Sequence, residues 1–293
     1  MKRFACFRII IGLALLFTAC KSKPVVPEAE AAPSPSPSLS LPPSATLSFT
    51  GIQADDIEHL KVSSILEVKA PSGSQAKIES WRILIDGQDA GFAFNLNYPQ
   101  GEFPTVSPVP LTLNMDIAAL AAKGLAPKDD YAVTLIAELG VYSGSDLPAK
   151  LTLRETANFP GIQAPGFSIT SIAILKAELI NTRFRVSMRI DNPNPYPLEL
   201  SSFIYELYGN GRLWADGMEK NVFVVKGNST LQGELYLIMN FINMERSLLD
   251  QIINLVNVNY RFKGEVQVST GIDYLPKFKT GFNLSGYSEV LDK

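Results

Sequence analysis

Two cysteines and one histidine are all that this 293-residue chain offers in thiols and imidazoles. So small a supply excludes a disulfide framework, and also a zinc site drawing several His or Cys ligands. The basic excess of a nucleic-acid binder is missing as well: 26 Lys and Arg stand against 29 Asp and Glu, a net charge of −3. No G-x-S-x-G elbow and no phosphate-cradling glycine loop occurs, which removes two large enzyme classes. Helical periodicity is scarce. The apolar run at residues 9–17 is too short to span a membrane by itself.

What that run does form is a secretory signal. Lys2, Arg3 and Arg8 supply its positive start, and Ala19 is the small residue before a cut. Leu16-Phe17-Thr18-Ala19-Cys20 resembles the bacterial lipobox, with Phe17 where Leu is usual. The resemblance implies that residues 1–19 are removed and that Cys20, diacylated, becomes the N-terminus. Its acyl chains would hold the protein to the cell membrane or outer membrane, outside the cytoplasm, at about 0.8 kcal/mol per buried CH₂. The mature charge is then −6, with no thiol left free. Residues 20–46 carry seven prolines among Ser and Ala. Such a chain favours extended polyproline II and reads as a tether reaching up to about 80 Å.

The remaining body reads as all-β. Residues 183–190 alternate without a break, which places Phe184, Val186, Met188 and Ile190 on one face and three arginines on the other. Asn210-Gly211 between apolar flanks predicts a hairpin, as does Asp86-Gly87 after residues 81–85. Residues 258–270 alternate too, with an interruption expected at Gly264. Two helices are expected. One covers 244–256, with Leu249 and Ile253 on its apolar stripe and Asn243 as N-cap; the other covers 116–123, ending at Gly124.

These elements recur. Residues 47–52 match 167–172 at an offset of 120, residues 81–87 match 205–211 at 124, and Leu111, Leu113 and Met115 match Leu235, Leu237 and Met239 at 124. Residues 131–144 match 258–271 at 127. The expectation is a tandem duplication: one unit at 47–160 and a second at 166–293, each a β-sandwich with one short helix.

The second unit carries Asp191-Asn192-Pro193-Asn194-Pro195-Tyr196-Pro197-Leu198 after its alternating strand, then the hairpin and Gly217. Prolines lack the N–H that a ladder needs, and Asn side chains satisfy turn backbone, so the stretch reads first as a strand-to-strand corner. With the hairpin, it resembles the late-embryogenesis-abundant type 2 family, also called the water stress and hypersensitive response domain. The resemblance covers about 167–290 directly and 47–158 only through the repeat, where Ala70-Pro71-Ser72-Gly73 replaces the Asn-Pro-Asn. It implies a seven-stranded sandwich of the immunoglobulin or fibronectin type III kind, an association with stress or desiccation, and lipid handling.

Catalytic patterns fail on context. His59 with Asp55 and Glu58 is the one conceivable metal cluster, and reads better as a polar strand edge. Ser74-Gln75-Ala76-Lys77 and Lys279-Thr280-Gly281 match penicillin-interacting motifs, but S-x-x-K should open a helix and here leads into a strand. The expectation is a non-enzymatic, cofactor-free envelope lipoprotein with tandem binding modules, protecting against stress or binding lipid or an amphiphile. The alternative is an adhesin-like or scaffold module that binds an envelope protein or glycan. The candidate ligand groove is formed by Tyr196, Tyr205, Trp214, Leu249 and Ile253, with Tyr208 nearby.

Overall fold

The computed structural model describes residues 41–125, 129–144, 147–176, 181–240 and 257–292. Alternation of apolar and polar residues dictates nearly everything in it. Strand β2 (His59–Lys69) buries every second residue, as do β7 (Val109–Asp116) and β12 (Leu198–Gly209) along most of their lengths. Strands β1 (Ser44–Ala54), β3 (Gln75–Ile85), β4 (Gln88–Asp89), β5 (Phe94–Asn97), β6 (Phe103–Pro104), β8 (Asp130–Tyr142) and β9 (Ala149–Pro160) complete the first half. The second half adds β10 (Gly166–Lys176), β11 (Asn181–Asn192), β13 (Arg212–Glu219), β14 (Phe223–Val225), β15 (Ser229–Asn240), β16 (Asn257–Ser269) and β17 (Lys277–Asp292).

Each half is a β-sandwich. In the first, the sheet β1-β2-β7-β5 faces the sheet β4-β3-β8-β9. In the second, β10-β11-β15 faces β13-β12-β16-β17, and a short parallel pairing of β10 with the end of β17 joins the two sheets along one edge. Setting β5 aside, the strand order is the same in both halves. The hairpins match in detail. Asp86 and Gly87 have φ of 49° and 83°, Asn210 and Gly211 50° and 80°, the doubly positive turn that suits the strand twist. Asp86 N–H donates to the Ala132 carbonyl (3.0 Å) and its Oδ1 accepts from Ala132 N–H (3.3 Å). Asn210 and Asn259 repeat the pair at 2.8 and 3.1 Å.

The ladders correct one offset. Ile52 pairs with Val62 and Val62 with Leu113, whereas Ile172 pairs with Val186 and Val186 with Leu235. If Ile52 corresponds to Ile172, Leu113 corresponds to Leu235 and not to Leu237. A slip of two residues leaves each side chain on its own face, so hydrophobic pattern alone does not register it.

The short helix α1 (Ile117–Ala122) follows β7, with the Asp116 carboxylate accepting from Ala119 N–H at 2.9 Å as its N-cap and Gly124 at φ 77° ending it. The helix expected at 244–256 lies outside the described residues. Strand β16 runs through Gly264, and its buried alternation lapses there between Phe262 and Val266, as the pattern predicts.

Residues 41–293 form one compact unit, and the halves meet in a built joint. Tyr274 donates its hydroxyl to the Pro160 carbonyl at 2.5 Å, and its own carbonyl accepts from Ala54 N–H at 3.2 Å. Its ring meets Phe159 edge-on, 6.1 Å between centres. Ile57, in the β1–β2 turn, packs on the second core. The gap left among Ile57, Leu60, Ile117, Tyr131, Ile162 and Tyr274 is about 10 Å³, room for a water at most.

The joint generates a stability prediction. Asn194→Ala leaves backbone groups of the linker unpaired and should cost about 2–4 kcal/mol in urea unfolding, against about 1 kcal/mol for Tyr274→Phe. Equal effects of the two would show that Asn194 is not the anchor of the linker.

Candidate functional site

The Asn-Pro-Asn-Pro-Tyr-Pro corner is a buried hydrogen-bond hub. Asn192 and Asn194 are 2% and 0% exposed. The Asn194 side chain meets the linker backbone at two points: Nδ2 donates to the Gln163 carbonyl (2.9 Å) and Oδ1 accepts from Gln163 N–H (2.8 Å). Asn192 Nδ2 faces the carbonyls of Tyr196, Val225 and Lys226, and its Oδ1 accepts from the backbone and side-chain amides of Asn194. Asn194 offers its carbonyl to Asn228 N–H at 2.7 Å. The prolines between them have no N–H to satisfy. Gly227 is needed here, since a Cβ would lie 2.2 Å from the Pro195 carbonyl oxygen. Every polar atom of the two amides is thus committed to structure, as the corner reading requires.

Of the residues expected to form a ligand groove, the three that are described, Tyr196, Tyr205 and Trp214, lie in different settings. Tyr196 belongs to the joint: its hydroxyl donates to the Gly161 carbonyl at 2.6 Å, and burial, then the charges of Asp129 and Asp130, push its pKa up. Trp214 is 2% exposed and stacks on Phe184, with ring centres 5.5 Å apart. Tyr205 is buried against Phe262 (6.1 Å), and burial followed by Glu219 and Asp216 raises its pKa. Leu249 and Ile253 lie outside the described residues, as does Cys20. The space between the sheets of the second half is filled by rings: Phe167 touches Phe282, Phe282 touches Phe262, and Phe203 touches Phe223. These aromatics are core, so alternation explains them without a ligand.

His59 pairs with a neighbour that sequence reading passed over. Its Nδ1 is 3.0 Å from both oxygens of Asp56, whereas Asp55 and Glu58 make no such contact. Asp56 Oδ1 also accepts from the backbone N–H groups of Glu58 and His59, at 2.8 Å each, closing the turn that carries Ile57. The hydrogen bond to Asp56, and then its charge, raise the pKa of His59 above the ordinary 6.5. Burial alone would raise Asp56, but the bonds from His59 and the backbone outweigh it and hold the carboxyl low. Among the described residues no group of three His, Cys, Asp or Glu is placed to hold a metal. Ser74 and Lys279 lie in different halves, the first bonded to the Ser143 hydroxyl (2.7 Å) and the second to Glu265 (2.8 Å).

A further polar cluster lies on the outside of the second half, on the exposed face of β12, β16 and β17. There Glu206 accepts from the Tyr208 hydroxyl and binds Lys263 at 3.0 Å. These two bonds, the tyrosine first, hold the Glu206 pKa down, and Glu206 in turn raises that of Lys263. The Arg261 guanidinium lies 4.5 Å from the centre of the Tyr208 ring.

Residues 187–276 match the family model described as late embryogenesis abundant protein, a stretch running from within β11 to the turn after β16. The match supports a type 2 domain of that family in the second half. No curated protein matches the chain. Among solved structures, a protein from Archaeoglobus fulgidus is 17% identical, with 44% of this chain and 98% of that one covered and a TM-score of 0.29. A protein of unknown function from Porphyromonas gingivalis W83 is 11% identical, over 85% and 100% of the two chains, at 0.27. A Bacteroides uniformis β-glucuronidase 2 mutant is 11% identical over 78% of this chain and 26% of that one, at 0.23.

The chain's one histidine makes its titration directly readable by proton NMR. Its midpoint should lie above 6.5 and fall back toward that value in Asp56→Asn. Because the folded-state pKa is the higher one, the turn's gain from this pair is complete below 6.5 and lost as pH rises through the raised value. A midpoint unmoved by Asp56→Asn would contradict the pairing.

Proposed function

We propose that this chain is a non-enzymatic envelope lipoprotein, anchored through Cys20 and tethered by residues 20–46, whose paired sandwiches recognise a partner on their outer surface. The observation that carries the choice is the filled interior of the second half. Phe184, Phe203 and Phe262 are fully buried and in contact with further rings, which fill the space between the sheets among the described residues. Carriage of an amphiphile between the sheets is therefore the weaker reading, and the scaffold or adhesin-like reading the stronger. A stress-protective role fits both, since the type 2 match lies on the second half.

That the chain is not an enzyme is part of the proposal; its support is that His59, the one imidazole, is bonded to Asp56 in the β1–β2 turn. Geometry also suits a tether: β1 begins at Ser44 and reaches the joint only at Ala54, so the chain enters the first half at the pole away from the second. On this reading the second half stands farther from the membrane, about 36 Å along the strand from the entry point.

Two measurements on Cys20→Ala test the reading. The variant should leave the membrane fraction, and native mass spectrometry of it should find no stoichiometric lipid. Retention at the membrane would remove the anchor, and a lipid that survives purification would restore internal carriage.

A further inference from the structure

One face of the second half combines exposed aromatic, amide and guanidinium groups in a regular grid. On the outside of β16 and β17, Asn259 stands opposite Tyr287, Arg261 opposite Ser285, and Lys263 opposite Asn283. All but the half-buried Lys263 are exposed, while Phe262 and Phe282 between them point into the core. Tyr287, at 65%, is the most exposed aromatic residue among those described.

The cations on this face are not equivalent. Lys263 is neutralised by Glu206 and Lys279 by Glu265. Arg261 forms no ion pair among the described residues. It lies instead on the Tyr208 ring, whose hydroxyl Glu206 holds in place. A guanidinium stacked on an immobilised ring keeps its planar fork free, and that fork matches a carboxylate at two points. Beside it a trough of about 370 Å³ opens at Gly264 between β12, β16 and β17, lined by Ile204, Tyr205, Glu206, Lys263, Phe282 and Asn283.

We propose that this face binds a polysaccharide bearing carboxylated sugars. One sugar ring stacks on Tyr287. Asn259, Ser285 and Asn283 bond its hydroxyls and those of its neighbour. A carboxylate takes the Arg261 fork, and the trough accommodates the continuing chain. On the outer face of these three strands four cations, Arg261, Lys263, Lys277 and Lys279, stand against three acids, Glu199, Glu206 and Glu265. Its apolar side chains are Ile204 and, on the neighbouring β13, Met218 and Leu213 opposite Ile204 and Tyr208. The proposal rests on the reading that recognition is external, and names its ligand class.

Affinity electrophoresis of the detergent-solubilised full-length chain tests it, with polygalacturonate as probe, dextran as the neutral sugar polymer and polyglutamate as the carboxylated polymer without sugar. Polygalacturonate should retard the chain and the other two should not. Tyr287→Ala should weaken the binding about tenfold, and so should Arg261→Lys, which keeps the charge and loses the fork. Lys150→Ala, an exposed cation on β9, should leave it unchanged. No retardation by polygalacturonate, equal retardation by polyglutamate, or indifference to Tyr287→Ala would each overturn the proposal. None of these outcomes touches the membrane release or lipid content of Cys20→Ala, so the two readings fail separately.

Discussion

The linker between the halves is held by one two-point contact, the side-chain amide of Asn194 against the backbone of Gln163. Residues 161–165 connect two sandwiches without belonging to a sheet, and buried backbone groups there need partners as much as any in a strand. Asn194 supplies them from a corner that Asn192 holds rigid in turn. The linker is thereby pinned, Tyr196 reaches Gly161, and Tyr274 closes on Pro160. The boundary between the two units is thus a hydrogen-bonded seam.

That seam matters because nothing covalent replaces it. The described residues contain no cysteine, so orientation of the halves and integrity of each core depend on packing and polar complementarity alone. The cores meet the first need with aromatic contacts running from Phe167 through Phe282 and Phe262 to Tyr205. A core filled in this way supports the proposal that recognition is external. On β16 and β17 the pleat presents what the interior excludes, alternating Asn259, Arg261 and Lys263 outward with Val258 and Phe262 inward.

Much of the fold was legible in the sequence, because β structure writes its period directly. The 183–190 alternation, both Asx-Gly turns and the helix capped by Asp116 all stand where the pattern puts them. The candidate site was less legible, for identifiable reasons. Tyr205 and Trp214 were read as groove residues because they are aromatic and near a hairpin, but at their positions the pleat points inward. The Asp56 partner of His59 was missed because the turn, not spacing along a strand, brings them together. The two-residue slip between β7 and β15 left no trace in the hydrophobic pattern. Tyr274 carried no signal at all, since its role depends on a carbonyl 114 positions away. Asn192 and Asn194 did announce a corner, but not that the corner serves the joint.

Hydrogen exchange at the Gln163 amide tests the seam most directly. Gln163 lies outside any strand, and its N–H donates to Asn194 Oδ1 alone among the described residues. If the seam is as described, this amide exchanges as slowly as those of Val186 and Met188 in β11, and Asn194→Ala releases it while the β11 amides stay protected. Exchange at the rate of an open linker in the unaltered chain would contradict the account.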